Sequence, residues 1–245
     1  MTGEKTEKIQ AILDTNETLA NAIRRSINKI STLAIDSVEI RKNDSALYDE
    51  ILAQRIGLIP ITSNRKLNEL KDGEKPSLKT QIQIKLKVDG PATVYSGDIK
   101  GDVEMVYDKM PIVILDKEQS LELTGFVQLG VGTTHAKFSP GLAYYRNLTE
   151  LKIKDLEKSK EIIKKLEGKL VEYSGGNLKV GDIILCAEDE DYVESLGETG
   201  SFEISQSEKL VFFIEPWGQI DAKEIFGEAV KCLNKELKSV LGIIK

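Results

Sequence analysis

The chain has 245 residues, of which 40% are hydrophobic and 30% are charged, and its formal net charge at pH 7 is −6. Those proportions are typical of a globular protein with one large or two modest domains. The negative charge argues against direct nucleic-acid binding by this chain, because a phosphate backbone is held by clustered Lys and Arg. No apolar run approaches the ~18 residues of a membrane helix, and residues 1–10 lack the apolar core of a signal peptide. We therefore expect a cytoplasmic protein that does not span a membrane.

The first part of the chain predicts a strand followed by an amphipathic helix. Residues 7–13 have the composition of a short strand, and Asp14, Thr15 and Asn16 are candidate caps for the helix that follows. Apolar residues then recur at spacings of three and four, which places them on one stripe of the helix. The members of this stripe are Leu19, Ile23, Ile27 and Ile30. Two adjacent cations, Arg24 and Arg25, flank it.

A second helix and several strands are predicted for the middle of the chain. Residues 33–40 alternate as a strand does, and residues 41–45 carry turn residues. The next helix begins at Asp49 or near Ser45, and Pro60 ends it. A polar loop at 63–77 separates this helix from a group of strands. Those strands are expected at 80–88 and near 92–96, 112–115 and 120–128.

The last part of the chain predicts a second strong amphipathic helix. A loop at 130–141, a surface helix at 155–168 and a strand at 209–215 precede it. Asp221 and Glu224 form a capping-box pair at its start. Its apolar face is too wide to bury easily inside a small domain, which favours a partner helix as its cover. Phe226 and Val230 widen a face whose apolar positions at helical spacing are Ile225, Ala229, Cys232, Leu233, Leu237, Val240 and Leu241.

Residues capable of catalysis or metal binding are sparse. His135 is the only histidine, and general-base chemistry would need an oriented partner that the sequence does not show. The acidic run at 188–191 is interpreted as solvated surface, so a metal-dependent hydrolase is the less favoured alternative. Gly130-Val131-Gly132 lacks the third glycine of a dinucleotide fingerprint. Cys186 and Cys232 are far apart and are expected to be small buried apolar residues.

Five sequence blocks, in family order along nearly the whole chain, resemble the alpha-like assembly subunits of multisubunit RNA polymerases, and in particular the archaeal D subunits. The helix blocks are specific, whereas the short loop block alone would be weak. The blocks are Asn21-Ala22-Ile23-Arg24-Arg25, Ala34 to Ile40, Asn43-Asp44-Ser45 with Asp49 to Pro60, Ala136 to Pro140, and Phe212 to the C-terminus.

The resemblance implies an α+β fold with two domains. A dimerisation domain would combine residues 1–40 and 206–245, and a mainly β insert domain would occupy 41–205. It also implies a non-catalytic scaffold of a DNA-directed RNA polymerase, which is a nucleotidyltransferase. This scaffold would pair with subunit L and would dock the large catalytic subunits and small assembly subunits. The subunit L interface would use the two apolar stripes, Leu19, Ile23, Ile27, Ile30, Ile225, Ala229, Leu233, Leu237 and Val240. Large-subunit docking is assigned to Arg24, Arg25, Asp49, Glu50 and Arg55, with Arg25 preferred of the arginine pair.

The sequence departs from the archaeal pattern in one respect. Many D subunits carry a ferredoxin-like insertion whose cysteines hold an iron–sulfur cluster, but residues 148–200 here contain only Cys186. One thiolate does not supply the usual four ligands, so we expect a cluster-free remnant and no cofactor. A homodimeric alpha-like binding module is the remaining alternative to the heterodimeric scaffold.

Overall fold

The computed structural model describes residues 7–63, 67–70, 74–166, 171–172, 178–187 and 190–243. The strands are β1 (Ile9–Leu13), β2 (Ser31–Asn43), β3 (Gln81–Asp89), β4 (Ala92–Tyr95), β5 (Lys100–Gly101), β6 (Pro111–Leu115), β7 (Ser120–Val131), β8 (Gly141–Ile153), β9 (Val171–Glu172), β10 (Ile183–Cys186) and β11 (Phe202–Pro216). The α-helices are α1 (Glu17–Ser26), α2 (Asp49–Gly57), α3 (Leu156–Leu166), α4 (Glu190–Glu198) and α5 (Ala222–Ile243). None of these helices combines the length and the apolarity that crossing a bilayer requires.

The chain forms two compact units. The first contains Ile23–Leu142 and Glu215–Lys245, and the second contains Ile9–Ala22 and Ala143–Ile214. These units differ from the division expected at 40/41 and 205/206. Both expected boundaries fall inside continuous strands, β2 and β11, so no turn marks them in the sequence.

The core of the first unit is an antiparallel sheet in the order β2-β7-β3-β5. Val127 in the middle of β7 pairs with Ile35 on one side and with Ile82 on the other. In β3 the alternation predicted from the sequence is confirmed, since Ile84 and Leu86 are buried while Lys85 and Lys87 are exposed. Helix α2 packs on β2, and the antiparallel pair of β4 and β6 adds to the same core.

The second unit has a five-stranded sheet in the order β1-β11-β8-β10-β9. Helices α3 and α4 contribute Ile163, Leu166, Val193 and Leu196 to a core with the inner residues of β8 and β10. A smaller cluster includes Phe213 of β11, whose ring stacks on that of Tyr144 at 4.7 Å.

Several elements differ from the sequence-based expectation. Strand β2 continues through residues 41–43, where the sequence predicts a turn, and β11 begins seven residues before the expected start. Strands β8 and β10 and helix α4 were not predicted. β8 alternates poorly, because Arg146 and Asn147 interrupt its apolar residues, so the period-two signal is weak. The ends of α1, α2 and α5 agree with the predicted caps and stops within a few residues.

Candidate partner-binding surfaces

Helix α5 is fixed to its own unit from its first turn as far as Glu236. Ala222, Ile225 and Ala229 are at most 5% exposed. The ammonium group of Lys29, in the short 3-10 helix Ile27–Lys29, lies 2.6 Å from Oε2 of Glu236. The carbonyl oxygen of the same lysine lies 3.8 Å from Sγ of Cys232. Helix α5 is therefore held in place before any partner binds.

The C-terminal half of α5 presents an apolar stripe. Leu237, Val240 and Leu241 are 53%, 52% and 62% exposed. Three earlier residues at spacings of four and three are half-buried and continue the same line along the helix. We call this set the α5 stripe; its members are Phe226, Val230, Leu233, Leu237, Val240 and Leu241. Such four–three spacing is the pattern with which helices pack against partner helices.

The predicted subunit L interface divides into a buried and an exposed set. Ile23, Ile27 and Ile30 are 7%, 1% and 5% exposed, and with Ile225 and Ala229 they are enclosed by the chain itself. Leu19, Leu237 and Val240 are exposed, and Leu233 is half-buried. The apolar pattern identified both sets but could not distinguish a side chain facing the chain's own core from one facing outward. The list of interface residues also omits Leu241, although the apolar pattern includes it, and Ile243, which is 81% exposed.

Helix α1 carries the paired arginines in its last turn. Asn16 is the residue that caps the helix, because its Oδ1 accepts a hydrogen bond of 2.9 Å from the backbone N–H of Leu19. Arg24 is half-buried, whereas Arg25 is exposed. Of the two, Arg25 therefore offers its guanidinium more openly to a second protein.

Arg55 has a role within the chain that the sequence did not indicate. Its Nε donates to the carbonyl oxygen of Ile112 at 2.8 Å, and its Nη2 donates to that of Pro111 at 2.7 Å. Both acceptors belong to β6, so the side chain joins α2 to the antiparallel pair of β4 and β6. Asp49 and Glu50, at the other end of α2, are exposed.

The Asn43-Asp44-Ser45 block builds the turn that starts α2. Oδ1 of Asn43 accepts from the backbone N–H of Ser45 at 3.1 Å, which is the geometry of an Asx turn. Its Nδ2 donates to Oδ1 of Asp49 at 2.8 Å, which positions the first residue of the helix. Asp44 accepts from the backbone N–H and hydroxyl of Ser120. The ammonium group of Lys42 beside it, together with these donors, lowers the pKa of Asp44 below its usual value.

The residues present do not fit an iron–sulfur cluster. Cys186 is 1% exposed within the core of the second unit, and the chain's other cysteine, the half-buried Cys232, belongs to the first unit. Among the described residues, no group of three or more His, Cys, Asp or Glu side chains comes together as metal ligands. Of the acidic run at 188–191, residues 188–189 lie outside the described residues, and Glu190 begins α4.

The lone histidine has a local structural role. Nδ1 of the exposed His135 accepts a hydrogen bond of 3.1 Å from the backbone N–H of Lys137, so it caps the short 3-10 helix Ala136–Phe138. The preceding Gly130-Val131-Gly132 segment ends β7 and enters a turn, as predicted. Neither feature resembles a nucleotide site.

Two comparisons with known proteins address the family directly. Residues 38–143 match the family model described as the RNA polymerase Rpb3/RpoA insert domain. The matched segment is shorter at its C-terminal end than the insert expected at 41–205.

The chain is also similar to curated archaeal proteins over most of its length. It is 35% identical to DNA-directed RNA polymerase subunit Rpo3 of Thermococcus kodakarensis over 225 residues, which cover 89% of this chain and 85% of the relative. It is 34% identical to the Rpo3 subunit of Pyrococcus furiosus over 95% of this chain and 91% of the relative. The Archaeoglobus fulgidus subunit is 28% identical over 99% and 96%. Neither the homodimeric alternative nor the hydrolase is favoured by these matches. The chain belongs to the Rpo3 family of archaeal DNA-directed RNA polymerase subunits, the D subunits of the resemblance above, which are alpha-like and non-catalytic.

Proposed function

We propose that this chain is an assembly platform: it pairs with polymerase subunit L through the α5 stripe and then docks the large catalytic subunits, alongside small assembly subunits. The exposed α5 stripe carries the proposal, because the helix is fixed to its own unit as far as Glu236 while the residues that follow present uncovered apolar side chains. Besides Leu237 and Val240 of the stripe, the predicted interface has one more exposed position, Leu19 of α1, which is 46% exposed. The platform works without an iron–sulfur cluster, and its place is the cytoplasm, where transcription occurs in archaea.

Burial of the exposed stripe residues alone would not supply enough free energy for a stable heterodimer. Full burial of a Leu or Val side chain contributes ~1.5–3 kcal/mol, so each residue that is still half exposed has ~1 kcal/mol to gain. The three most exposed members of the stripe, Leu237, Val240 and Leu241, therefore supply ~3 kcal/mol by the same rule. Association itself costs ~4–15 kcal/mol. Subunit L must therefore also cover the half-buried stripe residues and surface beyond α5.

The platform proposal is tested by light scattering after size exclusion. The full chain alone and the chain co-expressed with its cognate subunit L are compared at equal concentration. A one-to-one complex supports the proposal, and loss of a self-associated or aggregated state on adding subunit L strengthens it. A stable monomer that ignores its cognate subunit L would rule the proposal out.

Docking of a large subunit is proposed for the polar positions, foremost Arg25. A guanidinium binds a carboxylate or two carbonyl oxygens in a planar fork, and Arg25 is the exposed member of the pair. We expect Arg25→Glu to leave the heterodimer with subunit L intact but to reduce recovery of a large subunit in pull-down by about tenfold or more, the value of one charge-assisted hydrogen-bonded contact. Arg25→Lys is the matched control and should retain part of the binding, because its charge is kept while the fork is lost. Unchanged recovery with the Glu variant would remove Arg25 from the docking surface.

A further inference from the structure

A second candidate surface lies in the first unit, and its lining includes none of the residues assigned to the proposed function. A cleft of about 370 Å³ is lined by Leu58, Pro60, Tyr107, Met110, Trp217 and Gln219, among others. We call it the Trp217 cleft. Leu58, Tyr107 and Trp217 are 51%, 37% and 45% exposed, so large apolar groups border an open space. Exposed aromatic residues around a concave surface are typical of protein-binding sites.

The backbone around the Trp217 cleft is fixed by hydrogen bonds. The N–H of Trp217 donates to the carbonyl oxygen of Pro140 at 3.0 Å, and Gly218, which follows it, has a φ of +96° that favours glycine. The carbonyl oxygen of Pro60 accepts from the N–H of Val106 at 3.1 Å. A surface held in this way loses little conformational entropy when it binds a partner.

Gln219 gives the cleft one specific polar requirement. The residue is only 5% exposed, and its Oε1 has no hydrogen-bond partner among the described residues. Its backbone carbonyl is already used, accepting from the N–H of Ser63 at 3.0 Å. A buried acceptor without a donor costs ~1–3 kcal/mol. An occupant that brings one N–H donor to this oxygen would recover that free energy.

The charge around the Trp217 cleft excludes an anionic occupant. Lys137 is the cation in its lining, but its Nζ lies 2.7 Å from Oδ1 of Asp36 and 3.0 Å from the carbonyl oxygen of the same residue. Its side chain is only 13% exposed. The lysine charge is therefore neutralised by its own chain, and a phosphate or a nucleic-acid backbone would find no free cation in the described lining.

Gln219 also lines a larger groove of about 880 Å³, which is less specific. That groove contains several carboxylates and lysines, including Glu69, Asp221 and Lys235, and residues 64–66 lie outside the described part of the chain. Its lining does not single out one kind of occupant, whereas that of the Trp217 cleft does.

We propose that the Trp217 cleft binds a tryptophan side chain from an extended segment of another protein, with the indole N–H donating to Oε1 of Gln219. An apolar cavity of ~150 Å³ holds a benzene ring, so about 370 Å³ has room for an indole and the adjoining backbone. Indole has one donor and no acceptor, which matches a single unpaired acceptor in an apolar surround. Because the α5 stripe is not involved, the two proposals stand or fall separately.

The proposal is tested with two peptides and the full chain labelled with ¹³C at its methionine methyl groups. The chain has three methionines; Met110 lines the cleft, whereas Met105 is 9% exposed and does not, so it reports on the core. The probes are acetyl-Gly-Trp-Gly-amide and the same peptide with 1-methyltryptophan, which lacks the N–H. We expect a saturable shift of the Met110 methyl with the first peptide, at a Kd of about 1 mM, and about fivefold weaker binding of the second, the value of one neutral hydrogen bond.

Variants test separately whether the cleft binds the indole ring and whether the indole N–H donates to Oε1 of Gln219. Gln219→Leu should bind both peptides equally, and Leu58→Glu at the exposed rim should bind neither. Ile114→Ser, at a 72% exposed position outside the cleft, is the control and should leave both affinities unchanged. An unshifted Met105 signal verifies the fold of each variant. The proposal is overturned if Met110 shows no saturable shift, if the Gln219→Leu variant still discriminates the peptides, or if inorganic phosphate shifts Met110 at lower concentration than the tryptophan peptide.

Discussion

The most direct test of the α5 stripe replaces Leu237 and Val240 together by Asp. Each side chain is about half exposed, so the isolated chain loses mainly helix propensity, ~0.5 kcal/mol per residue. In the heterodimer the change removes ~2 kcal/mol of apolar burial and adds the desolvation of two carboxylates, which costs several kcal/mol each. The total exceeds ~4 kcal/mol, which corresponds to a more than ~1,000-fold increase in the Kd for subunit L. Replacement of the same pair by Ala should cost only the ~2 kcal/mol of burial, or ~30-fold.

The assay is isothermal titration of each purified variant with the cognate subunit L, and circular dichroism verifies that each variant is helical. The control is Lys235→Gln with Lys238→Gln, because both lysines are exposed on α5 and this pair changes the net charge by the same two units. A folded Asp variant that binds within about threefold of the parent, less than 1 kcal/mol, or a control that is equally impaired, would refute the interface assignment. Substitution of Ile23, which is 7% exposed, would instead test the chain's own core.

Three further predictions concern the chain alone. Arg55→Met removes two hydrogen bonds to β6 and should lower the free energy of unfolding, measured by urea denaturation, by ~1–3 kcal/mol. Arg41→Met, at an exposed 3.9 Å ion pair, is the control and should change that free energy by less than ~0.5 kcal/mol, so equal effects would contradict the role of Arg55. Gly227→Ala should raise the free energy of unfolding by ~0.5–1 kcal/mol in the same assay, because alanine is favoured over glycine inside a helix and the added Cβ meets nothing within 4 Å. A lower free energy of unfolding would indicate strain that the structure does not show. Burial, reinforced by the carboxylate of Glu228, raises the pKa of the Cys232 thiol, so the fraction present as thiolate is low at neutral pH. Its alkylation by iodoacetamide, followed by mass spectrometry in a pH series, should therefore rise only at pH values above the usual thiol pKa, and an inflection at or below that pKa would contradict the burial.

The sequence by itself determined helices α1, α2, α3 and α5, the family and the apolar positions of the two terminal helices. The cap residues of α1 and α5, the spacing of their apolar side chains and the alternation of β3 are local signals, because each depends on neighbours within one or two turns or on a period of two. The order of the sequence blocks was sufficient to indicate the family, which the archaeal relatives then confirmed. The departures lie where local patterning is weak, as in β8, whose polar residues interrupt the alternation.

Only the tertiary structure decided which apolar and charged residues remain available to a partner. Ile27 and Leu237 have the same place in their helical patterns, yet one is 1% and the other 53% exposed, because exposure depends on which distant segment packs against each helix. Arg55 has the sequence appearance of a solvated helix cation, but its guanidinium donates to β6, more than fifty residues further along the chain. The Trp217 cleft likewise unites the end of α2, the segment before β6, the loop after β7 and the turn after β11, and no pattern along the chain relates these four segments. A periodic sequence specifies which face of an element is apolar, whereas long-range packing specifies what covers that face.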